Sequence, residues 1–322
     1  MTAAPQNACA RYALFLLLAA TGCRPPAPEA PRPPGPLVRL GLERTTTSYE
    51  DPRAADKRAL FERINRDREA AGVPVLRYEP RAALVGDAFC LDASLSGSQG
   101  HWDVKGRAPY LRWALAGGVD YNSENVAAYS SSNGRIDRPL RDVLLEAHEA
   151  MMAERPPQDG HRRTILDPLF THVGIGLAAV GGEIRMTEEF TRVAFEWMEL
   201  PALPLRKGDW ARFAGRTLPD WEVGLVEIRF EPPPHPLSLS ELRRRGSYRL
   251  PPVVRTLRPR LPANGRYDTG GRGDFVEKDG RLELAFPIEE RGHYFVVCYL
   301  RRRGGGPEAM SPGTAALVTS EG

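Results

Sequence analysis

The chain has 322 residues, of which 42% are hydrophobic and 26% charged, and its formal net charge at pH 7 is +3. This composition is typical of a soluble globular protein with room for two ordinary domains, each with its own core. The nearly balanced charge argues against the concentrated basic face that nucleic-acid binding requires, so no nucleic-acid partner is expected.

Residues 1–22 have the features of a lipoprotein signal peptide. Arg11 precedes an apolar run, residues 12–20, that is too short to span a bilayer but fits the h-region of a signal peptide. The run leads into Ala20-Thr21-Gly22-Cys23, which resembles a bacterial lipoprotein cleavage site. Cys23 is therefore the expected lipidation site, and acyl chains are expected to anchor the protein to the periplasmic or cell-surface face of a bacterial membrane. An ordinary secretory signal with a chance cysteine is the alternative.

Residues 23–53 are predicted to form a proline-rich tether, because the stretch RPPAPEAPRPPGP at 24–36 cannot pack into a core. After removal of the signal, the cysteines other than Cys23 are Cys90 and Cys298. They lie far apart in sequence, so two free buried thiols and no disulfide framework are expected.

Residues 54–199 are predicted to form a first domain that contains three good helices. Apolar residues recur at the helical period in the stretches 54–71, 80–95 and 138–154. In the second stretch, the face expected to be buried carries Ala83, Leu84, Ala88 and Leu91. A further short helix between two turns is expected after His101.

The stretch GHRRTILDPLFTHVGIG at 160–176 is interpreted as a turn that leads His161 into a small cavity and then feeds a buried strand. The run 172–180 is apolar and contains glycine, as a short core strand can be. His172, at its start, is interpreted as structural.

The third helix begins a metalloprotease pattern that it does not complete. His148-Glu149 opens like His-Glu-x-x-His, but Met152 stands where the second histidine is needed. His148 is therefore interpreted as an exposed or rim residue. The sequence has no G-x-S-x-G elbow and no base adjacent to Cys90, so it shows no nucleophile for hydrolysis, and an enzyme is the less favoured class.

The order of motifs along the first domain resembles the CAP superfamily of cysteine-rich secretory, antigen 5 and pathogenesis-related proteins, in its bacterial SCP-like form. The motifs are INRDREAAGVPVL at 64–76, His101 with Gly106 and Arg112, SENVA at 123–127, MMAE at 151–154, GHRRTIL and HVGIG. The resemblance implies an α-β-α sandwich, a small antiparallel sheet between helical layers.

The resemblance also implies a cavity lined by two histidines and two acidic residues that can bind a divalent metal, with zinc expected. By position, these residues are His101, Glu124, Glu154 and His161. Imidazole nitrogen and carboxylate oxygen both suit zinc. Without metal, the same residues could form a charge-assisted hydrogen-bond cluster in which a carboxylate holds each histidine. Three departures from the family pattern affect the expected pocket shape: Ser123, Met151 and Thr164.

Residues 200–322 are predicted to form a β-sandwich of the immunoglobulin-like class. Short alternating runs at 224–230, 281–286, 294–300 and 315–318 are separated by Pro/Gly turns. Trp210 and Trp221 are interpreted as core residues rather than as a sugar platform. The basic runs 243–245 and 301–303 are interpreted as solvated turns.

Taken together, the sequence predicts an α+β protein in which a surface-tethered CAP-type domain precedes a β-sandwich. Its His/Glu cavity is expected to bind a divalent metal or a small ligand, with a lipid or a protein as further ligand classes. Two alternatives stay open: a metal-dependent hydrolase with one glutamate as general base, and a purely structural or recognition module.

Overall fold

The computed structural model describes residues 51, 53–306 and 310–321, so the signal peptide, Cys23 and almost all of the predicted tether lie outside the described residues. The helices are α1 (Ala54–Ala70), α2 (Pro80–Ser96), α3 (Pro109–Leu115), α4 (Leu140–Met152), α5 (Gly160–Leu166) and α6 (Leu239–Arg244). None of the described helices is long and apolar enough to cross a membrane.

The strands form three sheets. They are β1 (Arg77–Tyr78), β2 (Tyr121–Ser130), β3 (His172–Val180), β4 (Glu183–Arg192), β5 (Phe195–Glu199), β6 (Leu205–Arg206), β7 (Trp210–Thr217), β8 (Trp221–Glu231), β9 (Val253–Leu257), β10 (Glu277–Lys278), β11 (Arg281–Pro287), β12 (Gly292–Arg302) and β13 (Ser311–Glu321). The first sheet has the order β1-β3-β4-β2, the second β10-β11-β7-β5 and the third β6-β13-β12-β8-β9.

The first sheet is the middle of three layers. β1 runs parallel to β3, whereas β3–β4 and β4–β2 are antiparallel. α2 packs against β3 and β4 on one face. On the other face, apolar side chains of α1, α4 and α5 share a core with β3 and β4, as Leu60, Leu144 and Ile165 do with Ile175 and Phe190. The structure is therefore mixed α+β, with the predicted α-β-α order of layers in this unit.

α1 buries the face that its periodicity predicts, including a charged residue. Leu60, Ile64 and Arg68 are all fully buried. The Arg68 guanidinium donates to the carbonyls of Pro74 at 2.7 Å and Asp167 at 3.1 Å, which ties α1 to the chain after α5. Burial lowers the pKa of Arg68 to about 10.

The predicted buried face of α2 is wrong for three of its four residues. Ala83 is buried, but Leu84 and Leu91 are 65% and 47% exposed and Ala88 is also exposed. The helix turns a stripe of mostly small residues to the sheet instead: Ala82, Ala83, Gly86, Phe89, Cys90 and Ala93. Small residues allow a close approach of helix and sheet, which leucines on that face would prevent.

The HVGIG motif explains this close approach. Val173, Ile175 and Leu177 alternate with Gly174 and Gly176 along β3, so the large side chains face the α1 layer and the glycines face α2. A methyl group on Gly176 would overlap the backbone of Gly86 in α2. The glycines of this motif therefore allow β3 and α2 to pack in close contact.

Replacing Gly176 with alanine is expected to lower the free energy of unfolding by about 1–3 kcal/mol, because backbone atoms of α2 would have to move. Urea denaturation measures the change. Gly271→Ala is the control, since no atom lies within 4 Å of a methyl group there. Equal stability of the two variants would contradict the close packing.

Residues 160–166 are a helix, α5, and not the predicted turn. Ile165 is buried and anchors this helix to the α1 layer. The predicted strand at 172–180 coincides with β3.

The second and third sheets share one apolar core, to which Trp197, Phe213 and Phe286 contribute from one sheet and Val226 and Val296 from the other. β5 pairs with β7. The sheet of the second unit therefore already includes residues 195–199, which precede the predicted domain boundary at 200.

β12 is buried on both faces, which accounts for the continuous apolar run in its sequence. Val296 and Cys298 face the core between the sheets, whereas Phe295 and Val297 pack against Tyr110 and other residues of α3. The first unit therefore covers the outer face of the third sheet.

Three expectations for single side chains can be compared with this packing. Cys90 and Cys298 are free and buried, as predicted. Trp221 is buried, but Trp210 is 55% exposed, so its assignment to the core is wrong. Trp210 is the first residue of β7, and it lies on the exposed face of that strand together with Arg212 and Arg216.

Candidate functional site

His101, Arg112 and Glu124 form one buried hydrogen-bonded group beside β2, an edge strand of the first sheet. His101 lies in the loop after α2, Arg112 on α3 and Glu124 on β2. The Nδ1 atom of His101 is 2.8 Å from Glu124 Oε1, and an Arg112 terminal nitrogen donates to Glu124 Oε2 at 2.5 Å. Arg112 also donates to the carbonyl of His101 at 2.7 Å. Arg112 thus hydrogen-bonds to both His101 and Glu124 and holds them in place.

Glu189 adds a second carboxyl to this group. It lies directly opposite Glu124 on the neighbouring strand β4. Burial alone would raise the pKa of Glu124, but Arg112 and His101 outweigh it and lower that pKa. Burial and the Glu124 charge raise the pKa of Glu189 well above its usual value, so Glu189 keeps its proton where Glu124 is ionised. We refer to His101, Arg112, Glu124 and Glu189 as the His101 cluster.

Glu154 and His161 form a separate pair. Glu154 follows α4, and one of its carboxylate oxygens is 2.5 Å from Nδ1 of His161. The other oxygen accepts the backbone N–H of His161 at 3.0 Å. Glu154 therefore satisfies a donor in the first turn of α5 and orients the imidazole at the same time.

The four residues predicted as metal ligands are thus brought together as two His–Glu pairs. Glu124 and Asn125 are successive residues of β2, so their side chains point to opposite faces of the sheet. Asn125 donates to the carbonyl of His161 at 3.3 Å, which places that backbone on the face opposite Glu124. Among residues 51, 53–306 and 310–321, no three His, Cys, Asp or Glu side chains are grouped so that they could hold a metal ion.

His148 is buried, and its interpretation as an exposed residue is wrong. Its ring nitrogens lie 2.7 Å from Glu188 and 3.0 Å from Asp67. Burial by itself lowers the pKa of His148, but the two carboxylates outweigh it and raise that pKa. His148 is four residues after Leu144 and three before Met151, both on the buried stripe of α4, so its spacing was a signal that it faces the core.

Glu188 and Glu189 are functional candidates that sequence reasoning missed. Both are buried in the middle of β4, on opposite faces, one beside His148 and the other beside Glu124. The strand sequence EIRMTEEFTR is mostly polar, so no apolar pattern marks these two acids as buried. In the structure, both require partners because they are buried acids.

A small cavity lies next to the His101 cluster, between α2, β2 and β4. Its volume is about 30 Å³, and Phe89, Cys90, Ser98 and Gly100 are among its lining residues. The Arg112 guanidinium covers the Phe89 ring at 3.8 Å. A volume of this size corresponds to about one water molecule.

Several buried hydrogen-bond donors in this region have no partner among the described residues. Ser98 Oγ, Arg185 Nε and Thr187 Oγ1 belong to residues that line the cavity, whereas Trp102 Nε1 and Arg112 Nε lie on the segment that holds His101. The indole of Trp113, by contrast, donates to the carbonyl of Asp120 at 2.9 Å. Unpartnered buried donors are rare in folded proteins, so those on the segment around His101 require an explanation, as do those of β4 at Arg185, Thr187, Thr191 and Arg192.

Neither buried cysteine has the properties of a nucleophile. Burial raises the pKa of both the Cys90 and the Cys298 thiol, which disfavours the reactive thiolate. The described helix α4 contains His148 and Glu149 but, as in the sequence, Met152 follows at the position of the second metalloprotease histidine.

No model of a known protein family matches the sequence, and no curated protein gives a significant match. Among solved structures, the chain is similar to an extracellular SCP-domain protein from Bacillus anthracis, with a TM-score of 0.35 and 20% identity over 43% of this chain and 40% of that one. It is similar to an outer surface protein from Borrelia burgdorferi, with a TM-score of 0.36 and 13% identity over 44% of this chain and 94% of that one. A cysteine-rich secretory protein from Staphylococcus aureus matches with a TM-score of 0.29 and 13% identity over 43% of this chain and 38% of that one. The structures to which this chain is similar thus include bacterial SCP-domain and cysteine-rich secretory proteins, matched over less than half of its length.

Proposed function

We propose that this chain is a secreted, lipid-anchored protein whose first unit is a CAP-type module and whose His101 cluster binds a small ligand. The ordered motifs between residues 64 and 176 support a CAP-type module, together with the α-β-α layers on which they lie. The signal-like run before Cys23 supports secretion and anchoring. The two packed, mostly antiparallel sheets of the second unit are compatible with an immunoglobulin-like sandwich.

The observation that carries the ligand proposal is the set of unpartnered donors around the His101 cluster. Leaving a buried donor without an acceptor costs about 1–3 kcal/mol. Ser98, Trp102 and Arg112 each hold such a donor close to His101 in sequence. A ligand that supplies acceptors would remove these costs, and this supports the proposal of ligand binding near His101.

The chemistry of the donors defines the ligand group. An indole N–H and a guanidinium N–H can only donate hydrogen bonds, whereas a serine hydroxyl can donate or accept. The matching group is an acceptor oxygen, as in a carboxylate. We therefore propose that the ligand presents a carboxylate or a comparable oxygen-rich group to Trp102 and Arg112.

A resident divalent metal fits the described side chains less well. Structural and catalytic zinc sites use at least three protein ligands, and the pairs His101–Glu124 and His161–Glu154 supply two each on different faces of β2. A metal-dependent hydrolase would need the same missing group of ligands. Both stay alternatives to the ligand proposal.

Acetate is the probe for the proposed site. In the soluble chain from residue 37 onward, which keeps every described residue, we expect acetate to shift the ¹⁵N–¹H signals of Trp102 Nε1 and Arg112 Nε saturably. The indole signal of Trp113 is the internal control, since its donor is already bonded to Asp120. If acetate moved neither donor signal, the carboxylate ligand would be rejected.

Zinc titration tests the metal alternative on the same protein. We expect calorimetry to detect no zinc site of one ion per chain that depends on both His101 and His161. His101→Ala and His161→Ala are the variants to compare. A saturable site near one ion per chain that both substitutions abolish would establish the metal centre instead.

A further inference from the structure

A segment of the second unit lies across the loop that holds His101. Residues 232–251, here called the strap, connect β8 to β9 and contain α6. Ser238 and Glu241 form a capping box that stabilises the start of α6. The strap is fixed at both ends, since Glu231 accepts the Tyr110 hydroxyl at 2.8 Å and Arg229 donates to the carbonyl of Pro251 at 2.7 Å.

The strap packs closely against the loop that holds His101. The backbone N–H of Leu237 donates to the carbonyl of Val104 at 2.9 Å. Gly106 has a φ of +76°, and a methyl group there would collide with the carbonyl of His235. The absence of a side chain at Gly106 therefore lets the strap approach the loop.

Two side chains of the strap reach the region of the unpartnered donors. The guanidinium of Arg245 covers the indole ring of Trp102 at 4.3 Å, so this member of the basic run is not in a solvated turn. The Tyr248 hydroxyl accepts the backbone N–H of Glu124 at 2.9 Å, and its ring meets the His101 ring edge-on with centroids 5.0 Å apart. Tyr110 packs near the Tyr248 ring, with the two ring centroids 6.4 Å apart.

These contacts leave little space for a ligand. The described cavity beside the cluster holds about one water, and His101 is only 5% exposed. A ligand larger than that can reach the imidazole only if Tyr248 and Arg245 move. Release of the strap would expose Leu237 and Leu242, which are buried, and Tyr248 and Leu250, which pack on the apolar cluster of Tyr110. The closed strap is therefore the dominant state, and only a small fraction of molecules has it released.

We propose that the strap is a gate over the His101 cluster, with Tyr248 as the internal occupant of the pocket that an incoming ligand must displace. This rests on the proposed ligand-binding function for the identity of the pocket. When only a fraction of the protein has the strap released, the apparent ligand affinity falls by that fraction. The second unit thereby regulates binding by the first.

Tyr248→Ala tests the gate through the reactivity of His101, which requires no ligand. We expect the rate at which diethylpyrocarbonate modifies His101, measured by peptide mass spectrometry, to rise at least about tenfold, the factor for the loss of one hydrogen bond and one ring contact. His161 is the internal reference, because the strap contacts described above do not include it. Tyr267→Ala, in a different loop of the second unit, is the matched control.

The same variant tests regulation of ligand binding. Acetate affinity at the Trp102 indole signal should increase about tenfold in Tyr248→Ala and to a smaller extent in Tyr248→Phe, which keeps the ring and loses the hydroxyl. Tyr248→Phe also provides the comparison if the alanine variant does not fold, since His101 should then still react faster than in the wild type.

The outcomes separate the two proposals. Faster modification of His101 without acetate binding in any variant would support the gate and reject the carboxylate ligand. Acetate binding that is equal in all variants, with His101 equally unreactive in folded Tyr248→Ala and wild type, would overturn the gate and leave the ligand site standing.

Discussion

Arg112→Met is expected to lower the free energy of unfolding by about 3–5 kcal/mol, the range for removing one partner of a buried ion pair. The side chains of Arg112 and Glu124 are 5% and 0% exposed. Without the guanidinium, the Glu124 carboxylate would lose its arginine partner and keep side-chain hydrogen bonds from His101 and the protonated Glu189. Urea denaturation of the soluble chain measures the loss.

Arg163→Met is the matched control, because Arg163 pairs with Asp159 while its side chain is 43% exposed. Exposed pairs contribute about 0–1 kcal/mol, so this variant should unfold near the wild-type midpoint. Adding Glu124→Gln to Arg112→Met should recover at least about 1 kcal/mol, since it removes the unpaired charge. An Arg112→Met variant no less stable than Arg163→Met would contradict the described role of Arg112.

Local sequence patterns predicted the elements that bury their own apolar stripe. α1, α4 and β3 lie where periodicity placed them, to within a few residues, because their large apolar side chains face one core. In α2, apolar periodicity alone does not identify the buried face. Its sequence carries a leucine stripe and a small-residue stripe, and the glycines of β3, some ninety residues later, decide which one is buried.

The sequence predicted four site residues but not how they pair. The four residues inferred from the family resemblance are all buried in the structure. How they pair depends on α3 and on Glu189, which supply Arg112 and a second carboxyl to one histidine only. Tyr248 lies 124 residues after Glu124, and no local pattern in the sequence links a tyrosine after α6 to a strand of the other unit.

His148→Gln is expected to lower the free energy of unfolding at about pH 6 by about 3–5 kcal/mol, because it leaves the buried carboxylate of Glu188 without its cation. The same variant should have a flatter pH dependence than the wild type. Glu188 and Asp67 raise the folded-state pKa of His148 above its usual value of about 6.5. The stabilisation is therefore complete below about pH 6.5 and is lost as the pH rises through the raised pKa, with a slope of at most about 1.4 kcal/mol per pH unit.

Urea denaturation between about pH 6 and pH 9 measures how stability depends on pH. Two further variants show which residue causes that dependence. Glu189 has a raised pKa too, and a neutral buried carboxyl that must ionise also makes stability fall as pH rises, so Glu189→Gln removes that contribution separately. His235→Gln, at an exposed position, should leave the slope unchanged. If His148→Gln lost as much stability at high pH as at low pH, the buried species would be neutral imidazole.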